Sequence, residues 1–139
     1  MTEVLTPALA AFLEATPVGV LGVKRKDGTV HQSLVYHLVR DGKIYISTEP
    51  TRLKGRAIVR DGWASYAVRG DAAPYPAFSV EGPATLLQGE GIAELTSAIF
   101  LKIFGKAGDP LTDDQVRAMN RAVIELTPEK VYAVSYFEA

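Results

Sequence analysis

The sequence predicts a mainly β protein, a closed or nearly closed antiparallel barrel with short helices between its strands. Three observations carry that prediction. About seven or eight short runs rich in Val, Ile, Thr and Tyr follow one another along the chain. Asp27-Gly28 and Asp41-Gly42 separate the early runs, and Asp-Gly between such runs signals a hairpin. These hairpin-linked runs make a meander, not the strand–helix–strand unit of a parallel sheet, which weighs against a Rossmann-type dinucleotide fold.

Taken in order, Thr6-Pro7 reads as an N-cap followed by a proline at the first helical position. Ala8, Leu9, Phe12 and Leu13 give that helix an apolar stripe, and Pro17 stops it. Val18–Arg25 is a strand, Lys26-Asp27-Gly28-Thr29 its turn, and Val30–Arg40 the return strand. After Asp41-Gly42, Lys43–Thr48 supplies a third strand and completes an antiparallel meander. Pro50–Asp61 leaves the strand period: Leu53, Ala57 and Ile58 recur at helical spacing until Asp61-Gly62. Trp63–Arg69 is a strand and Gly70–Pro76 a two-proline loop. Ala77–Gly82 and Ala84–Leu95 read as strands, with Pro83 and Gly89/Gly91 marking a bulge or sharp bend. Ile99, Leu101, Ile103 and Phe104 make Thr96–Lys106 helical. Asp109–Asn120 holds another short helix, capped by Thr112 with Asp113 and Asp114 at its dipole-favoured start. Val123–Leu126 and Val131–Phe137 close the chain as strands, with three or so small helices inserted among the strands.

At 139 residues the chain is expected to be one domain, 1–139, with a radius of gyration of roughly 14 Å and a real core. Zero cysteines exclude disulfides, thiol chemistry and cysteine-containing zinc sites. A net charge of −1 argues against a general nucleic-acid binder. The N-terminus has an early Glu3, no basic region and no long apolar run, so the expectation is a soluble, cytoplasmic protein without a membrane span.

Side-chain chemistry is sparse. There is no nucleophile elbow, zincin motif, P-loop or EF-hand. Gly89-x-Gly91 lacks the third glycine of a dinucleotide fingerprint and reads as a strand bulge. His31 and His37 fall in the same predicted strand and read as partly exposed, too few and too far apart for a metal. Asp27, Asp41 and Asp61 are turn residues, and Glu81, Glu90 and Glu94 project from predicted strands with no base or nucleophile beside them. A reaction here would have to be carried by a cofactor.

One segment stands out. In Ser47-Thr48-Glu49-Pro50-Thr51-Arg52-Leu53-Lys54-Gly55-Arg56-Ala57-Ile58-Val59-Arg60 two hydroxyls end a strand, and Arg52, Lys54, Arg56 and Arg60 follow on a helix. Hydroxyls, free N–H groups at a helix start and cations are what a phosphate needs. Charge spacing alone fits a solvated amphipathic helix as well; the strand-to-helix position of Ser47-Thr48 is what favours an anion site.

The order of these weak motifs is itself informative. The Thr-Pro helix, Val18-Gly-Val-Leu-Gly-Val, an Asp-Gly hairpin, His31-Gln32-Ser33-Leu34-Val35-Tyr36-His37, Gly42-Lys-Ile-Tyr-Ile-Ser-Thr and Arg52-x-Lys54-x-Arg56 follow one another over about residues 6–69. Together they resemble the pyridoxamine 5′-phosphate oxidase-like proteins, the FMN-binding split barrels, and above all their F420-dependent reductase branch. The resemblance implies an antiparallel split barrel, a homodimer with two cofactor sites at its interface, and an oxidoreductase that transfers a hydride between reduced F420 and an electron-poor small acceptor. FMN is the alternative cofactor, and a flavin- or deazaflavin-binding protein without turnover the alternative role. It also implies a phosphate held by Ser47, Thr48, Arg52, Leu53, Lys54 and Arg56, and a ring lying along Gln32, Ser33, Val35 and Tyr36. Tyr75, in a Pro-Tyr-Pro loop unlike the family's usual one, is implied to reach over from the partner subunit. The family's substrate residues for pyridoxal phosphate are not recognisable, which argues against vitamin B6 synthesis. Arg56 and Arg60 are the spare cations that the anionic tail of F420 would use.

Overall fold

Thr6 caps the first helix as its sequence implies: its hydroxyl accepts the Leu9 N–H at 3.2 Å, and Pro7 opens α1 (Pro7–Ala15). The structure is a computed structural model that describes residues 4–105 and 108–135. After α1 come β1 (Val18–Lys24), β2 (Val30–Tyr36), β3 (Leu38–Arg40), β4 (Lys43–Thr48), α2 (Leu53–Asp61) and β5 (Trp63–Arg69). Then follow β6 (Ala77–Leu87), α3 (Ile92–Phe104), α4 (Asp113–Ala118), β7 (Ala122–Leu126) and β8 (Lys130–Ser135).

The strands lie in the order β2-β1-β5-β6-β7-β4-β3, with β8 also on β6, and every pairing is antiparallel. This mostly antiparallel sheet curls into a half-barrel with short helices, the predicted class. β6 belongs to both halves: Ala77–Pro83 pair with β5, Ala77–Glu81 with β8, and Ala84–Leu87 with β7. Gly82 makes that handover possible, because a side chain there would collide with the Thr127 carbonyl as the chain passes from β7 to β8.

Period-two alternation sorts the core. Ile44 and Ile46 of β4, with Ile124 and Leu126 of β7, face the barrel interior beside Leu9, Leu13, Leu21, Ile58, Tyr66 and Phe78. Tyr45 and Val123, on the opposite face, pack beneath Ile92 and Ile99 of α3 and Val116 of α4. β2 has no such cover: its outward Val30, Leu34 and Tyr36 are exposed, Leu34 at 76%. No helix among the described residues is long and apolar enough to cross a membrane.

Four expectations need correction. Val30–Arg40 is two strands, not one: the chain breaks at His37, so β2 and β3 end up at opposite ends of the strand order and the meander does not form. His37 pays for that break with burial, 0% exposed, instead of the partial exposure expected. Ala77–Leu87 runs unbroken through Pro83, and Gly89-x-Gly91 is a turn, not a strand bulge; Gly91, at φ +91°, is the N-cap of α3. Helix α3 therefore starts at Ile92, placing Glu94 on a helix and Glu90 in the turn. The parts of the predicted elements at Lys106 and beyond Ser135 fall outside the described residues.

Candidate functional site

The turn from β4 into α2 gathers the strongest polar chemistry. Ser47 and Thr48 end β4, and Thr48 is 2% exposed with its Oγ1 buried and unpartnered. Four residues on, Arg52 is the N-cap of α2, and no side chain caps the helix. The N–H groups of Leu53, Lys54 and Gly55 thus lie at a helix start without intrahelical acceptors. Gly55 favours this packing: a Cβ would stand 3.0 Å from the Glu49 and Pro50 carbonyls and press the turn away from the helix.

A third cation arrives from far along the chain. Asn120, left-handed at φ +52°, ends α4 and turns Arg121 into β7. Arg121 then donates to Ser47 Oγ through Nε at 3.1 Å and Nη2 at 2.8 Å. Glu49 lies among the cations: Oε2 accepts Arg52 Nε at 3.0 Å, and Oε1 is 3.7 Å from Arg121 Nη1. The Arg52 hydrogen bond and charge, then Arg121 and Lys54, hold the Glu49 carboxyl below the usual carboxylate range. Burial depresses Lys54, and the Arg52 and Arg121 charges push it the same way while Glu49 opposes them. Burial likewise lowers Arg121, against Glu49 and with Arg52. A cleft of about 190 Å³ opens beside Arg121, lined also by Pro50, Gln88, Asp113, Arg117 and Asn120.

β2 and β4 approach each other, and the crossover from β2 to β3 is held by His37. Its Nε2 lies 2.7 Å from the Leu13 carbonyl and its Nδ1 2.5 Å from the Tyr66 hydroxyl. On β2, Val35 is buried and Ser33 half-buried with an unpartnered Oγ, while Gln32 and Tyr36 point outward and are exposed. The larger groove, about 840 Å³ along α3, is lined by Phe100, Leu101, Phe104 and Pro110, with no Lys or Arg among its described lining residues.

The family model described as pyridoxamine 5′-phosphate oxidase matches residues 5–135. This chain belongs to that family. Structures sharing the pyridoxamine 5′-phosphate oxidase fold include a conserved hypothetical protein of Mycobacterium tuberculosis, 18% identical with TM-score 0.74, covering 100% of this chain and 95% of the other. An F420 reductase is 22% identical with TM-score 0.66, over 87% of this chain and 93% of its own. A heme-binding protein of Mycobacterium smegmatis is 20% identical with TM-score 0.66, over 94% of this chain and 55% of its own. At these identities the likeness is one of fold. No curated protein matches the sequence.

Within this pyridoxamine 5′-phosphate oxidase fold, the residues singled out from sequence divide into three groups. Ser47, Thr48, Arg52 and Lys54 come together at the β4–α2 turn, and Gln32, Ser33, Val35 and Tyr36 share β2. Leu53 packs against the core, so what it offers the turn is its backbone N–H. Arg56 is exposed one turn further along α2, and Arg60 is not spare: Nη2 bonds the Lys24 carbonyl and Asp61. Tyr75 is exposed in the β5–β6 loop at φ +58°, its ring 5.0 Å from the Arg69 guanidinium, and no contact joins it to the turn among the described residues. Sequence reasoning missed Arg121 and Glu49. Glu49 was legible as the acid three residues before Arg52; Arg121 had no local signal.

Proposed function

We propose that this chain binds F420 and is an oxidoreductase, transferring a hydride between the reduced deazaflavin and an electron-poor small organic acceptor. The observation that carries the proposal is the β4–α2 turn, where Ser47, Thr48, Arg52, Lys54, Arg121 and an uncapped helix start converge. A phosphate fits this donor set. The unpaired Thr48 hydroxyl fits it too, since a buried hydroxyl without a partner costs about 1–3 kcal/mol and an oxygen beside it relieves that cost. We assign the phosphate to this turn and the ring to Gln32, Ser33, Val35 and Tyr36 on β2.

When bound, the cofactor supplies the hydride chemistry, and the chain's residues bind and orient it. The cations and helix start fix one end, and a strand lying along the ring fixes which face meets the acceptor, so the geometry favours transfer by proximity. Tyr36 carries an exposed hydroxyl on the ring strand, and it or solvent water provides the proton. We further propose a homodimer, with the uncovered outer side of β2 as its contact and Tyr75 reaching the partner's site. We place this reductase in the cytoplasm, a reading its lack of cysteine accommodates.

FMN is the second reading, because the phosphate of FMN would find the same donors. Two observations favour F420: an F420 reductase shares the fold, and Arg56, exposed on the next turn of α2, offers a further cation to a tail that FMN lacks. Titration of the purified protein with F420 and with FMN, followed by the fluorescence of Trp63, tests both. We expect micromolar or tighter binding of F420 and weaker binding of FMN. Tight FMN binding without F420 binding promotes the second reading, and binding of neither overturns both.

A further inference from the structure

Arg52, Lys54 and Arg121 cluster at the β4–α2 turn, and a carboxylate of the same chain, Glu49, already stands among them. Glu49 gives one oxygen to each arginine, at 3.0 Å and 3.7 Å, and its charge is felt by Lys54 as well. The arrangement is built into the backbone. The Arg52 N–H donates to the Glu49 carbonyl at 3.1 Å, and Gly55 lets the Glu49–Pro50 turn lie against the helix. Glu49 therefore cannot drift away from the cations without unmaking the turn; only its side chain can swing aside.

We propose that Glu49 is a specificity-determining residue, an internal anion that stands in for the ligand's phosphate and must be displaced by it. This rests on the assignment of the phosphate to the β4–α2 turn. Glu49 balances one of three clustered charges in the free protein, which keeps Arg52 and Arg121 side by side without a ligand. It also raises the threshold for entry. A free small anion has to outcompete a carboxylate tethered to the same turn, whereas a phosphate anchored by a ring on β2 arrives at high effective concentration. The turn thus rejects loose anions of the cell and admits a phosphate that brings the rest of the cofactor with it.

The test compares ligands with and without the phosphate: FMN with riboflavin, and F420 with its phosphate-free deazaflavin chromophore, on the wild type and on Glu49→Gln. Gln keeps the shape and removes the charge. The expected result is that Glu49→Gln binds the phosphorylated ligands on the order of 2- to 5-fold more tightly, the range of a partly exposed charge contact, with the phosphate-free ligands unchanged. The variant should also gain thermal protection from inorganic phosphate that the wild type lacks. Equal or weaker binding of the phosphorylated ligands by Glu49→Gln overturns the inference and makes Glu49 an arginine-positioning group. If the wild type binds each ligand pair equally well, or binds none, the assignment of the phosphate to this turn falls instead.

Discussion

The Leu13 carbonyl can only accept a hydrogen bond, so His37 Nε2, 2.7 Å away, carries the ring proton and Nδ1 accepts the Tyr66 hydroxyl. Burial pushes the His37 pKa down to about 4, with the Leu13 hydrogen bond opposing and the Lys102 charge assisting, and it pushes the Tyr66 hydroxyl up, so Tyr66 stays a donor. The sign of the resulting pH dependence follows. Below pH 6.5 the unfolded chain takes up a proton at His37 that the folded chain refuses, so folding stability is full above 6.5 and declines as the pH falls toward 4. The loss over the whole window is about 3 kcal/mol. Urea unfolding at pH 7 and pH 5 should therefore show a clearly lower midpoint at pH 5, and His37→Asn, less stable at both, should flatten that difference. An equal difference in the variant would assign the effect to other groups. Glu49, Asp27, Asp61 and Glu94, whose carboxyls are held low, lose their contribution only at more acidic pH.

At the scale of elements, α2 is where a charge change and a fold change can be separated. Lys54 is only half-buried and makes no hydrogen bond that holds the helix, whereas its charge belongs to the cluster with Arg52 and Arg121. Lys54→Ala is expected to weaken F420 or FMN binding about tenfold, the weight of one charge-assisted contact, while the thermal midpoint hardly moves. Unchanged affinity would remove Lys54 from the site. Elements of this kind were legible because their determinants are local: Thr6 and Thr112 cap helices within three residues, and Ser47 to Lys54 is one contiguous stretch. What escaped was set by distant partners. The break at His37 is decided by Leu13 and Tyr66, which lie 24 and 29 residues away, and Arg121 reaches Ser47 across 74 residues. Pro83 failed to end a strand because β6 changes partners there, a tertiary fact that strand propensity does not carry. Half of the β4–α2 turn could thus be read from sequence, and the half contributed by β7 could not.

For the whole molecule, the outer side of β2 is an exposed apolar surface. Val30 and Leu34, 59% and 76% exposed, stand in line with Tyr36 on a strand at the end of the sheet order. Apolar residues clustered in this way mark an interface, and a two-fold contact of the strand with its own copy is the simplest closed arrangement. Light scattering on the eluting protein should give twice the chain mass, and Leu34→Glu should shift it to the monomer and lower cofactor affinity with it. A wild-type monomer at micromolar concentration would sink the dimer. The sharing of β6 by both halves of the sheet has a mechanical consequence. Because Ala77–Pro83 hold β5 and Ala84–Leu87 hold β7, a substitution that loosens β6 would part the β2–β1–β5 side of the sheet from the β7–β4–β3 side and disturb both at once.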